Sequence, residues 1–173
     1  MRILKTKFKK LLLFESNNFF DNRGYFRELF IEKKINKRLV FTVASNSKKN
    51  VLRGLHMQKK NQQGKYVSVV KGKILDVVVD CRTNSSTFGK SFKIILSQKN
   101  SKSIFIPPGF IHGFLGLEDE NIVVYGCTNY RNKDSEIGVI WNDSELNIKW
   151  PVKKPILSVK DKKNISFQDF LKL

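Results

Sequence analysis

The chain reads as an all-β domain, a sandwich or barrel of short strands with one short helix at its C-terminus. Short apolar runs recur roughly every ten residues with turn signals between them, the spacing of a sandwich or barrel. No repeat, low-complexity tract or linker interrupts the 173 residues, so a single domain over 1–173 is expected. The clearest helical signal lies at the end: Ser166 is placed to cap, Asp169 follows three residues on, and Phe167, Phe170 and Leu171 share one face.

Taken in order, residues 1–14 predict an opening strand that leads into the loop Glu15-Ser16-Asn17-Asn18. Asp21-Asn22-Arg23-Gly24 is a turn signal, and Tyr25 to Phe30 alternates as a strand does. The lysine-rich stretch from Ile31 to Leu39 suits a short surface helix. Val40 to Ala44 is strand-like, and Ser45 to Asn50 is a polar turn. Lys65 to Val70 ends at the turn Lys71-Gly72-Lys73, and Ile74 to Val79 follows, apolar apart from Asp76. Phe92–Leu96, Ser103–Ile106 and Asn121–Thr128 complete the pattern.

The formal charge of +18 comes mostly from lysines scattered in pairs, such as Lys33-Lys34, Lys59-Lys60 and Lys162-Lys163. Nucleic-acid readers concentrate their charge on one helix or face, and no such motif is present, so a solvated basic surface is expected. That surface still steers anions towards the protein. Cys81 and Cys127 read as buried free thiols, which makes a reducing cytoplasm the default. Leu11-Leu12-Leu13-Phe14 is too short for a signal or transmembrane segment, so no membrane partner is expected.

The chain holds only two histidines, over 50 residues apart, each in a glycine-flanked apolar setting. His56 lies in Val51-Leu52-Arg53-Gly54-Leu55-His56-Met57-Gln58, with a fixed cation three residues ahead. His112 lies in Ile106-Pro107-Pro108-Gly109-Phe110-Ile111-His112-Gly113-Phe114. Either is open to two readings: a hydrogen-bonded strand histidine, or an acid/base group, since histidine changes charge near neutral pH. The pair predicts two strands of one barrel converging on a pocket. Two histidines without a His-x-His repeat are a poor set for a barrel metal site, so no metal is expected. No nucleophile elbow and no phosphate-cradling glycine loop occur. A histidine base, tyrosine acids and Arg or Lys clamps remain, an inventory for proton transfer beside a carbonyl.

Several motifs stand in a telling order. They are Asp21-x-Arg23-Gly24-x-Phe26-x-Glu28-x-Phe30, the Arg53-to-Gln58 segment, Gln63-Gly64-Lys65-x-Val67 and Asp76-Val77-Val78-Val79-Asp80-x-Arg82. Ser86-Thr87-Phe88-Gly89, Pro108-Gly109-Phe110-x-His112-Gly113-Phe114 and Tyr125-x-x-Thr128-x-Tyr130 come next. Trp141-Asn142-Asp143, Ile148-x-Trp150-Pro151 and Leu157-Ser158-x-x-Asp161 close the series. With these the chain resembles the dTDP-4-dehydrorhamnose 3,5-epimerase family, cupin-like jelly-roll barrels that act on nucleotide-linked 4-keto sugars.

The resemblance implies an isomerase without cofactor or metal, acting on a nucleotide-sugar substrate in deoxysugar synthesis for surface polysaccharide. His56 matches the family's base, Asp161 its orienting carboxylate, Tyr125 its general acid and Lys65 the cation beside the ketone. Arg53 and Arg23 match pyrophosphate contacts, Phe26 and Glu28 nucleotide contacts, and His112 a second pocket histidine. A homodimer is implied, with the segment from Arg23 to Glu28 reaching the neighbour's pocket. Met57 and Arg131 stand where the family usually has aromatic residues, and Arg131 as an extra cation suits a different nucleotide or a larger sugar, including a GDP-linked 4-keto heptose. The substrate expected is thus a dTDP- or GDP-linked 4-keto-6-deoxy hexose or 4-keto heptose. Relatives that invert carbon 3 or carbon 5 alone also fit.

Taken one by one, the same residues have plainer readings. Asp161 beside Lys162-Lys163 suits a surface ion pair, Tyr125 a core tyrosine and Lys65 a solvated strand edge. Arg53 suits a pair with Asp76 or Asp80, and Arg23 one with Glu28. A non-catalytic jelly-roll module that holds polyanions on its lysines is the rival from another class.

Overall fold

The computed structural model describes all 173 residues as two sheets packed face to face, a jelly-roll barrel. The N-terminal part holds β1 (Arg2–Lys5), β2 (Leu12–Glu15), β3 (Phe19–Asp21), β4 (Gly24–Phe26) and the single-turn helix α1 (Glu32–Ile35). Then come β5 (Phe41–Ser47), β6 (Leu52–Gln58), β7 (Lys65–Lys71), β8 (Lys73–Asp80) and β9 (Ser91–Ser97). β10 (Lys102–Ile106), β11 (Phe110–Gly116), β12 (Asn121–Cys127), β13 (Glu136–Gly138) and helix α2 (Phe167–Leu171) complete the chain. One sheet runs β1-β2-β10-β7-β12-β5 and the other β13-β6-β11-β8-β9; β3 and β4 pair only with each other. No helix is long and apolar enough to cross a membrane.

Strand alternation explains the core. Ile74 and Val78 of β8 face the space between the sheets, where they meet Val67, Val69, Ile104, Phe110, Phe114 and Val123. Val77 and Val79 face outwards, yet they are buried too, because the C-terminal segment lays Val139, Leu146, Ile148, Phe167 and Phe170 over them. Both faces of β8 are covered, which is why its sequence is an almost unbroken apolar run. On the other sheet α1 brings Ile35 onto Phe14, Tyr66 and Phe105.

Four expectations need correcting. Residues 1–14 form a two-stranded unit rather than one strand: β1 folds back on β2 in the register Arg2 to Glu15, and Phe8 is buried in the turn between them. The Tyr25–Phe30 strand stops at Phe26, where pairing with Phe19 ends. β5 runs through Ser47, because β12 pairs with it as far as Asn121 and so takes up half of the expected polar turn. The C-terminal helix is capped as expected, with the Ser166 hydroxyl accepting from the Asp169 amide at 3.1 Å, but Leu171 is exposed. Five residues make little more than one turn, so only Phe167 and Phe170 reach the core.

Asp80 anchors the loop after β8. Its fully buried carboxylate accepts from Arg82 Nε at 2.8 Å and Nη2 at 2.7 Å, and from the Ser85 and Thr87 hydroxyls at 2.6 Å each. The Arg82 guanidinium lies over the Phe110 ring, 4.5 Å from its centre. Burial alone would raise the Asp80 pKa, but these donors outweigh it and hold the carboxyl at about 2. The unfolded chain therefore binds that proton more readily. The linked stability is present above about pH 4 and is lost as pH falls towards 2. Asp80→Asn should remove on the order of 2 kcal/mol at pH 7 and flatten the acid limb of the urea midpoint against pH. A variant as acid-sensitive as the parent protein would contradict this account.

Candidate active site

The pocket opens on the face where β6 and β11 pair antiparallel. His56 and His112 are direct register partners there, and the ladder slips just beyond them. The strands approach closely: a Cβ at Gly54 would lie 2.6 Å from the Gly113 Cα and from the His112 carbonyl oxygen. Gly54 also sits at φ +111°, so the position requires glycine on both counts. The two glycines beside the histidines thus let two imidazoles face one interior space, a cavity of about 580 Å³.

His56 Nε2 lies 2.5 Å from Asp161 Oδ1, so the neutral imidazole donates there and leaves Nδ1 as its free acceptor. Asp161 is buried, and it arrives on the C-terminal strap 105 residues away. Its other oxygen accepts from the Ser158 hydroxyl at 2.9 Å, and that hydroxyl in turn accepts from the Asp161 amide at 3.0 Å. Burial disfavours the Asp161 anion, yet the hydrogen bond and charge of His56, helped by Ser158 and Lys160, bring its pKa below the usual value. His112 Nε2 bonds Asp76 Oδ2 at 2.8 Å. Asp76 is the one charged residue of the apolar β8 run, and its Oδ1 is buried without a partner.

The facing wall comes from the other sheet. Lys65 opens β7 opposite Cys127, and Tyr125 lies two residues before Cys127 on β12. Burial lowers the Lys65 pKa, an effect that Cys127, Glu136 and Asp76 partly offset. Burial raises Tyr125 and Cys127 instead, so both keep their protons at neutral pH. Arg53 is held at the rim by the Ser47 hydroxyl at 2.9 Å and the Asn46 carbonyl at 3.0 Å. Neither Asp76 nor Asp80 is its partner.

The structure therefore brings together His56, Asp161, Lys65, Tyr125, Arg53, His112 and Arg131. Arg131, the extra cation, is paired within the chain. Its guanidinium forks onto Glu136, Nε to Oε1 at 2.5 Å and Nη2 to Oε2 at 3.1 Å. That fork, working with Lys160 against burial, holds Glu136 at about 2. Arg23, Phe26 and Glu28 lie outside this pocket; Arg23 sits exposed on the β3–β4 hairpin and pairs with Asp21 rather than Glu28. Glu136, Lys160 and Asp76 were missed as site residues. Only Asp76 gave a signal, an acid inside an apolar strand. Four cations against two carboxylates line the cavity, so its field favours an anionic ligand.

The barrel and this pocket define a class of protein, a jelly-roll domain whose cavity holds a hydrogen-bonded histidine–carboxylate pair. A family model described as dTDP-4-dehydrorhamnose 3,5-epimerase matches residues 5–169. The Shigella flexneri protein of that name is 42% identical over 176 residues, which cover 98% of this chain and 97% of the relative. The crystal structure of dTDP-4-dehydrorhamnose 3,5-epimerase from Elizabethkingia anophelis NUHP1 superposes with a TM-score of 0.91 at 42% identity, covering 98% of this chain and 97% of that one. The Legionella pneumophila dTDP-6-deoxy-D-glucose-3,5-epimerase, solved with dTDP-4-keto-L-rhamnose, gives a TM-score of 0.92 at 38% identity and coverages of 96% and 93%. This chain belongs to the dTDP-4-dehydrorhamnose 3,5-epimerase family. It is an isomerase, and its fold is the cupin-like jelly roll of those structures.

Burying the Lys65 ammonium has a thermodynamic consequence. The folded state holds that proton less tightly than the unfolded chain, so the charge destabilises the fold at neutral pH. The penalty is relieved as pH rises through the folded-state value towards the ordinary 10.5. Lys65→Met should raise Tm at pH 7 by about 3 °C, with a gain that shrinks in alkaline buffer. A lower Tm would mean that the ammonium is fully compensated in the pocket.

Proposed function

We propose that the protein is a cofactor-independent epimerase that inverts carbons 3 and 5 of a dTDP-linked 4-keto-6-deoxyhexose. The observation that carries this reading is the His56–Asp161 pair, with Lys65 and Tyr125 on the opposite wall of the same cavity. The names of the relatives support the substrate class, as does the product-like sugar nucleotide in the Legionella pneumophila structure.

The chemistry follows from the ketone. A proton on a carbon next to a carbonyl is acidic because its electron pair can move into an enolate. His56 Nδ1 takes that proton, and the Asp161 carboxylate stabilises the imidazolium that forms. The electron pair moves onto the ketone oxygen, where the buried Lys65 ammonium offsets the new charge. Tyr125, kept protonated by burial, returns a proton to the same carbon from the opposite face. Protons and electrons balance, and no redox partner is needed. His112, oriented by Asp76, faces the sugar, Arg53 binds the pyrophosphate, and Arg131 adds positive charge at the mouth.

Arg23, Phe26 and Glu28 enter this scheme only through a second copy. The β3–β4 hairpin exposes Phe19, Phe20, Tyr25 and Phe26, which pack only on one another in pairs and, at Tyr25, under Arg27. An aromatic patch of this kind marks an interface. In a homodimer the hairpin reaches the neighbour's pocket, where Arg23 and Glu28 contact the nucleotide and Phe26 its base. Two unpaired cysteines suit a reducing cytoplasm, and the product suits a surface polysaccharide. A polyanion-binding module is disfavoured, because it gives no role to a buried dyad inside a cavity.

Turnover of dTDP-4-keto-6-deoxyglucose by His56→Asn should fall about a thousandfold with Tm unchanged, and by Asp161→Asn about ten- to a hundredfold. Full activity in His56→Asn would sink the mechanism. A preference for a GDP-linked 4-keto heptose over the dTDP-hexose would move the substrate assignment and leave the chemistry standing. Sedimentation at micromolar concentration should give a dimer, and Arg23→Ala should raise KM more than it lowers kcat; a monomer with full activity contradicts the shared pocket.

A further inference from the structure

Resting on the epimerase reading, we propose that Arg131, Glu136 and Lys160 form a tether that positions Asp161 against His56. Asp161 does not belong to a strand. It lies on the strap between two parallel bridges, Val51 with Ile156 and Val139 with Ile165. Between those bridges the strap's side chains reach the barrel through few bonds: Asp161 to His56 at 2.5 Å, Lys160 to Glu136 at 2.5 Å, and Asn164 to the Val139 carbonyl at 3.5 Å. Asn164 gives the longest of these contacts, at the far end of the segment. The Lys160 ion pair therefore fixes the residue directly beside the dyad carboxylate.

Glu136 is well placed to receive it. It stands on β13 opposite Gln58 of β6, and two residues further on Gly138 stands opposite His56. The anchor and the imidazole thus ride on one rigid ladder. Glu136 is only 17% exposed, and Arg131 grips it through two nitrogens, so its carboxylate has little freedom of its own. An isolated exposed pair would contribute little, but one carboxylate shared by a forked arginine and a lysine is a network with fixed geometry. Lys160 is half exposed and flexible by nature; the network gives it one position. The carboxylate of a dyad must not drift as the histidine gains charge, because a misplacement of about 1 Å can lose a hundredfold in rate. All three tether residues also line the cavity. The competing role for the two cations is to leave Glu136 and bind substrate phosphate directly.

Glu136→Gln and Lys160→Met in the full chain separate these roles, with Lys160→Arg as the conservative control. Ring-labelled histidine NMR reads the proton on His56 Nε2 that faces Asp161, and with His112 the only other histidine the signal can be assigned. We expect a slowly exchanging downfield signal in the parent protein and in Lys160→Arg, and its broadening or loss in the other two. In the same variants kcat should fall about tenfold, with KM changed by less than about twofold. An unchanged histidine signal, or a rise in KM with kcat intact, overturns the tether and makes the residues substrate ligands. A parent protein that turns over no 4-keto sugar would count against the epimerase reading alone, and the NMR comparison would still decide the tether.

Discussion

The bond between His56 and Asp161 is the constraint on which the rest of the architecture depends. A histidine on a β-strand can face the interior of a barrel by alternation alone, but its carboxylate partner comes from a segment 105 residues further on. The C-terminal segment must return across the barrel to deliver it. Before Asp161 it covers the outer face of the β13-β6-β11-β8-β9 sheet with Leu146 and Ile148, and after it with Phe167 and Phe170. The apolar outer face of β8 and the dyad are therefore two results of one chain path.

The barrel divides its interior between stability and chemistry. Val, Ile and Phe side chains from the two sheets fill much of the space. Other inward positions on strands of the same sheets carry Lys65, Tyr125, His56 and His112. A buried ammonium and a buried Asp76 oxygen without a partner weaken the fold locally. The continuous apolar core and the Asp80–Arg82 anchor offset that weakness. Such conflicts between stability and local structure gather where function requires them.

Much of this was legible from the residues. Most of the central strands were legible because apolar runs and turn residues mark them, and Ser166 capped its helix as its spacing implied. The pocket was legible because two histidines beside glycines sit on adjacent strands. The return from β1 to β2 was missed because Phe8 is buried by tertiary packing among lysines that disguise it. The pairing of Arg131 with Glu136, and of Glu136 with Lys160, was not legible because it depends on where β13 and the strap meet in space. Arg23, Phe26 and Glu28 matched the family's motif, but one copy of the chain does not bring them to its own pocket.

The central claim is that His56 and Tyr125 exchange protons on the carbons flanking a ketone. Incubating the protein in deuterated water with dTDP-4-keto-6-deoxyglucose, then locating deuterium by NMR and mass, tests it most directly. The account predicts deuterium at carbons 3 and 5, and none at either carbon with His56→Asn. No deuterium at either carbon with the parent protein would contradict it.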